Sequence, residues 1–292
     1  MNDARTAALA PSLFVLLWST GFIAAKYGLP YAPPLTFLLY RFVLVAALMA
    51  VVCVVTGARW PSQRIEYVNV AIAAWLVHGL YLGGVFVALS KGLPAGTAAM
   101  LVGLQPIVTV FLARVWLGEP VIARQWAGLM LGLVGVWLVV RHKVSLDADP
   151  IALAAIAVAL AGISVGTLWQ KRHCAHLDLR TGAVIQFAAC ALLYAPIVAW
   201  IEAPAVRWTG SFGFALGWSV VVLSVGAISL LYWLLRHGAA ADVARLFYLV
   251  PMVTALMAWA LFGETLDAPA LAGMVVIAVA VAIGRPRPPS PA

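Results

Sequence analysis

The chain has 292 residues, of which 65% are hydrophobic and 10% charged, against roughly half apolar and a quarter charged in soluble domains. A mean hydropathy of +1.04 excludes a single water-soluble domain, because that much apolar surface must be solvated by lipid, where only helices and closed barrels satisfy their own backbone groups. The formal net charge of +8 is spread singly between apolar runs, so no nucleic-acid partner is expected and the basic residues read as membrane-orienting charges.

Barrel strands alternate apolar and polar residues, whereas the stretch from Val70 to Leu89 is apolar on nearly every face. The expected fold class is therefore all-α integral membrane. Apolar runs near the ~20 residues that cross a bilayer core recur ten times. They fall at about residues 8–27, 35–56, 68–89, 95–117, 122–140, 151–170, 181–201, 213–235, 240–262 and 268–284. The first run has a weak charged flank and no cleavage site ahead of a soluble domain, so it reads as a span rather than a signal peptide. With the N-terminus inside, ten loop Lys and Arg residues lie on the cytoplasmic side and five on the other, which predicts both termini cytoplasmic. Cys53, Cys174 and Cys190 show no CxxC spacing and read as packing residues.

Within span four, Leu104, Pro106, Val108, Thr109, Ala113, Gly118 and Glu119 match Leu249, Pro251, Val253, Thr254, Ala258, Gly263 and Glu264 in span nine, each pair 145 positions apart. Ala127-Gly128 matches Ala272-Gly273 at the same offset. Proline and Gly-Glu landmarks are not generic hydrophobes, so the duplication reads as real, with halves at residues 1–145 and 146–292. Five spans per half make the repeat inverted, a plan suited to alternating access. The other reading of such a duplication is stability alone.

Trp18-Ser19 and Lys26 in span one, Tyr40-Arg41-Phe42 in span two, Ala88-Leu89 in span three, and Pro with Gly-Glu in spans four and nine follow in a specific order. In that order and spacing the chain resembles the EamA-type members of the drug/metabolite transporter superfamily. Among these it is most similar to the YddG-type bacterial exporters of aromatic amino acids and methyl viologen. The resemblance implies a bacterial inner-membrane location and a cavity walled by spans one, three, four, six, eight and nine. The second half departs from the first: Ser164 stands near the place of Trp18, Gln186 replaces Arg41, and Thr265 replaces Pro120.

Candidate substrate-binding residues are His78, Trp18, Trp75, Tyr81, Trp169, Tyr232, Trp233 and Tyr248. His78 lies mid-span, and Trp75 and Tyr81 at spacings of three put all three on one helical face, suited to a flat, partly polar ligand. A packing histidine bonded to a neighbouring helix is an equal reading. The aromatics on spans one, six, eight and nine are core-forming by default and gain weight from the implied cavity. Arg41 and Glu119 read as a structural ion pair, and Lys26 either snorkels or meets an anionic carboxylate.

Gly79-Gly83, Gly128-Gly132, Gly162-Gly166 and Gly213-Gly217 read as helix-packing pairs. The third also spells GxSxG around Ser164, but inside one continuous helix, where a nucleophile elbow cannot form. No P-loop, metal cluster or dinucleotide fingerprint is present, so neither cofactor nor metal is expected. Every carboxylate lies in a loop, tail or helix end, so a proton relay is not expected and His78 reads as a neutral binding group. The expected partners are a small-molecule substrate and the lipid bilayer, with a monomer compatible. The expected function is export of amino acids, aromatic ones included, and similar amphipathic metabolites by facilitative alternating access. A membrane-embedded enzyme acting on lipid or peptide, or a proton-coupled multidrug exporter, are the alternatives.

Overall fold

The computed structural model describes residues 3–118, 122–140, 149–203, 205–238, 240–263 and 268–283, and among these every regular element is helical. In chain order they are α1 (Asp3–Gly28), α2 (Pro34–Thr56), α3 (Arg64–Ala74), α4 (Gly83–Ser90), α5 (Ala95–Val102), α6 (Gln105–Leu112) and α7 (Ala123–Val140). Then follow α8 (Pro150–Cys174), α9 (Leu179–Ile201), α10 (Gly210–Trp218), α11 (Ile228–His237), α12 (Ala240–Ala244), α13 (Leu249–Phe262) and α14 (Ala268–Ile283).

Among the described residues seven helical stretches are long and apolar enough to cross a membrane: Leu9–Gly28, Pro34–Thr56, Arg64–Ser90, Pro150–Cys174, Leu179–Ile201, Gly210–His237 and Asp242–Phe262. Gln105–Leu117 and Leu271–Ala280 are shorter apolar helices. Their outer faces carry Val54, Val55, Leu192 and Val221 well exposed, a surface that only lipid solvates cheaply.

Several stretches that read as one run are broken. Between α5 and α6 the chain turns through Gly103 and Leu104, and Ile107 N–H bonds back only to Leu104 O (3.1 Å). Pro106 has no N–H to continue the ladder across that point. At the matching place in the second half, a 3-10 turn over Arg245–Tyr248 precedes α13, whose third residue is Pro251. Two wide π turns interrupt otherwise α-helical stretches, at Trp75–Leu82 between α3 and α4 and at Ser219–Ala227 between α10 and α11. A third, Ala113–Leu117, follows α6.

Element bounds recur at the 145-residue offset seen in the sequence. Pro34–Thr56 becomes Leu179–Ile201, and Trp75–Leu82 falls within the second π turn. Gly118 and Gly263 end their helices with φ of 67° and 66°, the left-handed conformation that glycine adopts without steric cost. Glu119 and Glu264, which follow them, lie outside the described residues.

The pair α2 and α9 runs antiparallel. Glu202, just past the end of α9, accepts hydrogen bonds from Leu35 N (2.9 Å), Thr36 N (2.7 Å) and Thr36 Oγ1 (2.7 Å). It supplies the cap that Pro33, at the start of α2, cannot. At the other end Thr181 Oγ1 donates to Arg59 O (2.9 Å), and Asp178 caps α9 through Arg180 N (2.9 Å). The Arg180 guanidinium also holds the Asp178 carboxyl below its ordinary range. Glu202→Ala is expected to lower stability by about 0.5–2 kcal/mol, read as a fall in melting temperature of the detergent-solubilised protein.

Of the expected glycine pairs, Gly162 and Gly166 pack as read: a Cβ on Gly162 would sit 2.7 Å from Leu76 O, and one on Gly166 2.6 Å from a Val77 methyl. Gly132 lies under the Tyr248 ring, 2.7 Å from an added Cβ, and Gly83 under the Tyr194 hydroxyl at 2.1 Å. The pair Gly213-Gly217 is a correction, since an added Cβ would meet nothing within 4 Å at either residue. That face of α10 is not in close helix contact. Ser164 sits in uninterrupted α8, so no nucleophile elbow forms around it. All three cysteines are buried and free.

Candidate functional site

A cavity opens between α1, α2, the first π turn, α4, the second π turn and α11. Its walls are Trp18 and Phe22 of α1, Tyr81 of the first π turn and Phe86 of α4, with Leu223 and Ala227 from the second π turn. Its volume is about 40 Å³. That is room for roughly three waters, so an aromatic ligand enters only if the walls part.

Trp18 donates from Nε1 to Tyr81 Oη (3.2 Å), and the two rings lie nearly parallel at 13° with centroids 5.9 Å apart. Phe247 closes edge-on against Trp18 at 5.3 Å. The arrangement is a stacked aromatic wall with one hydroxyl at its edge.

Arg41 also lines this cavity. It lies seven residues into α2, about 10 Å from the start of the helix at 1.5 Å per residue, and is only 3% exposed. Its Nε donates to Ser224 Oγ (2.9 Å), in the second π turn. The expected pairing with Glu119 falls on a residue outside those described, and among the described residues no carboxylate pairs with Arg41.

A second polar cluster occupies the corresponding place in the other half. Gln186 stands on α9 where Arg41 stands on α2, and it bonds to the first π turn as Arg41 bonds to the second. Its Oε1 accepts from His78 Nε2 (3.1 Å) and Tyr232 Oη (3.1 Å), while its Nε2 donates to Gln170 Oε1 (3.0 Å). Because that acceptor is a carbonyl oxygen, the His78 proton sits on Nε2. The imidazole stacks on Phe187 at 4.5 Å and leaves Nδ1 without a partner. A small pocket of about 10 Å³ beside the cluster reaches Gln170, Gln186, Tyr232 and Arg236.

The structure thus brings Trp18 and Tyr81 together, joins His78 and Tyr232 through Gln186 Oε1, and separates the other candidates. His78 is fully buried beside Gln186 and does not line the aromatic cavity. Trp75 is 43% exposed, with Nε1 on Ala189 O (3.3 Å), so the expected common face with His78 and Tyr81 is not formed. The reason is the π turn: with wider turns than an α-helix, residues three apart diverge. Trp169 packs tilted against Trp116, at 58° with centroids 5.9 Å apart, and donates to Asn69 O (3.1 Å). Trp233 stacks on His237 at 4.4 Å, and Tyr248 is buried with its hydroxyl on Leu129 O (2.9 Å). Of the walls implied by the resemblance, spans four, six and nine do not reach the cavity lining, whereas span two does through Arg41.

Gln170 and Ser224 were not singled out in the sequence, and Gln186 was named there only as the residue replacing Arg41. The available signal was Gln186 at the repeat position of Arg41, which marks one polar residue per half facing inward. Among the described residues no group of three His, Cys, Asp or Glu is placed to hold a metal ion.

The family model described as the EamA-like transporter family matches residues 6–141 and again residues 150–284. The chain belongs to the EamA-like transporter family. It is a multi-pass membrane transporter with a small-molecule substrate. Among its relatives, the "uncharacterized inner membrane transporter YedA" of Escherichia coli (strain K12) is 26% identical over 93% of this chain and 89% of its own. The "uncharacterized transporter YvbV" of Bacillus subtilis (strain 168) is 25% identical over 97% and 92%. A "probable amino-acid metabolite efflux pump" of Salmonella typhimurium (strain LT2) is 27% identical over 91% and 90%. A crystal structure at 22% identity superposes over 96% of both chains with a TM-score of 0.78, which speaks to the fold alone.

Proposed function

We propose that this protein exports amino acids, including aromatic ones, and similar small amphipathic metabolites across a bacterial inner membrane by alternating access. The observation that carries the reading is the aromatic cavity with a buried cation, set between two π turns that lie 145 positions apart. Wide turns weaken a helix locally, so paired ones beside a cavity supply matched places to bend. The name of the Salmonella relative, an amino-acid metabolite efflux pump, agrees with this substrate class.

The architecture that serves this function is ten transmembrane helices in two inverted five-helix repeats, residues 1–145 and 146–292, with both termini cytoplasmic. Three observations support it. Family matches fall on both halves, helix bounds recur at one offset, and the equivalent helices α2 and α9 pack antiparallel, each end of one held by the end of the other. Labelling of single cysteines introduced at Arg59 and Arg207 in intact cells tests the orientation: reagent confined to the outside should modify only the second.

Transport is facilitative, without an obligatory proton. The described carboxylates Glu66, Asp149, Asp178, Glu202 and Asp242 stand at helix ends or between helices, and the His78 imidazole is engaged by an amide rather than a carboxylate. Purified protein in liposomes preloaded with labelled amino acids tests both parts. Protein-dependent equilibration is expected. Absence of flux across a broad panel, alongside hydrolysis of lipid or peptide, would replace the transporter with an enzyme. In His78→Gln an imposed pH gradient should change the flux no more than in the natural protein. Proton-driven accumulation that disappears in the variant would overturn facilitative transport. The same substitution is expected to cost about 0.6–1.7 kcal/mol of stability, the range for interhelical hydrogen bonds in a bilayer.

A further inference from the structure

Arg41 places a permanent positive charge inside a membrane-spanning bundle, and the described structure gives it one hydrogen bond, from Nε to a neutral hydroxyl. A guanidinium carries five N–H donors and does not deprotonate in proteins, so four donors and the whole charge remain to be met. Leaving a buried cation uncompensated is strongly destabilising, which favours any anion that reaches it. What Arg41 borders is the aromatic cavity, and Ser224 Oγ holds the guanidinium from the side by its Nε. The fork of terminal nitrogens is the part suited to bidentate pairing with a carboxylate.

Tyr81 offers a second donor at the same wall. Its oxygen accepts from Trp18 Nε1, which leaves its own proton for another acceptor. Trp18, Phe22 and Phe86 supply apolar and aromatic surface alongside, and among the described residues no carboxylate lines the cavity to greet an ammonium or other cation.

We infer that Arg41 is the carboxylate receptor of the transport cavity, so that the substrates are small carboxylates with an apolar or aromatic body, and cations are rejected. This rests on the transport reading above and sharpens it: the α-carboxylate is required, the α-ammonium is not, and the dication methyl viologen is excluded by the charge of Arg41. The last point separates this chain from the exporters it resembles in sequence. Ser224 acts as a positioning residue, holding the guanidinium plane toward the cavity.

The test is competition against labelled phenylalanine counterflow in proteoliposomes, together with thermal shifts of the purified protein in detergent. The competitors are phenylalanine, 3-phenylpropionate, phenylalaninamide and methyl viologen. Charge-assisted hydrogen bonds imply that the two carboxylates compete about ten- to hundredfold better than the amide, and that methyl viologen does not compete. In Arg41→Gln the acid-to-amide ratio should fall to about one, mainly through loss of the acids, while Arg41→Lys keeps part of it. An acid-to-amide ratio near one in the natural protein, or an unchanged ratio in Arg41→Gln, overturns the assignment. The natural protein's ratio decides even if the Gln variant does not fold. Flux without acid preference removes the receptor and leaves transport standing. Acid-specific thermal stabilisation without flux removes transport and leaves the receptor.

Discussion

Gly84→Val is expected to destabilise the protein by about 3 kcal/mol or more, at or above the upper end of ordinary overpacking. A Cβ at Gly84 would lie 2.2 Å from Ala155 O and 2.9 Å from Ala159 Cβ, so the obstacle is the backbone of α8 rather than a side chain that could swing away. Relief requires α4 and α8 to part, and the close contacts of Gly162 and Gly166 with the first π turn lie along the same seam. Parting would loosen the wall that carries Tyr81 as well. The measurement is the melting temperature and monodispersity of the detergent-solubilised variant. Gly213→Ala is the contrast: its added methyl meets nothing, and replacing a helical glycine should be neutral or stabilising by up to about 1 kcal/mol. Equal stability of the two variants would show that the α4–α8 seam does not hold the bundle together.

Trp18→Ala is expected to cut amino-acid flux at least tenfold. The indole contributes the largest aromatic surface of the cavity, braces Phe14 and Phe247, and positions the Tyr81 hydroxyl through Nε1. Removing so large a buried side chain also costs stability, so Trp18→Phe carries the argument about function. Phenylalanine keeps a ring for stacking and loses the donor, worth about 1 kcal/mol or roughly fivefold. Initial-rate measurements should place that loss in KM with the maximal rate nearly unchanged. Tyr81→Phe removes the same bond together with the free hydroxyl proton, so its loss should be larger, and the double variant should be no worse than Tyr81→Phe alone. Additive losses would mean that the two residues act separately.

The sequence by itself determined the solvent of this protein and the 145-residue register between its spans four and nine. Hydropathy follows from composition, and the register from Pro106 to Pro251 and Gly118 to Gly263 is a property of residue order, so both are legible without coordinates. The two prolines lack the N–H an unbroken helix needs, and the helix breaks fall beside them. Tertiary structure alone decided which polar groups meet. An α-helical period put Trp75, His78 and Tyr81 on one face, but the π turn redirected them, and composition carries no signal for a π turn. Arg41 read as the partner of a glutamate at a helix end. That glutamate lies outside the described residues, and the antiparallel packing of α2 and α9 with the inward approach of the second π turn puts Ser224 at the Arg41 Nε. Contacts 183 positions apart depend on how helices cross, and helix crossing is set by close approaches such as Ala155 O over Gly84, which no local pattern encodes.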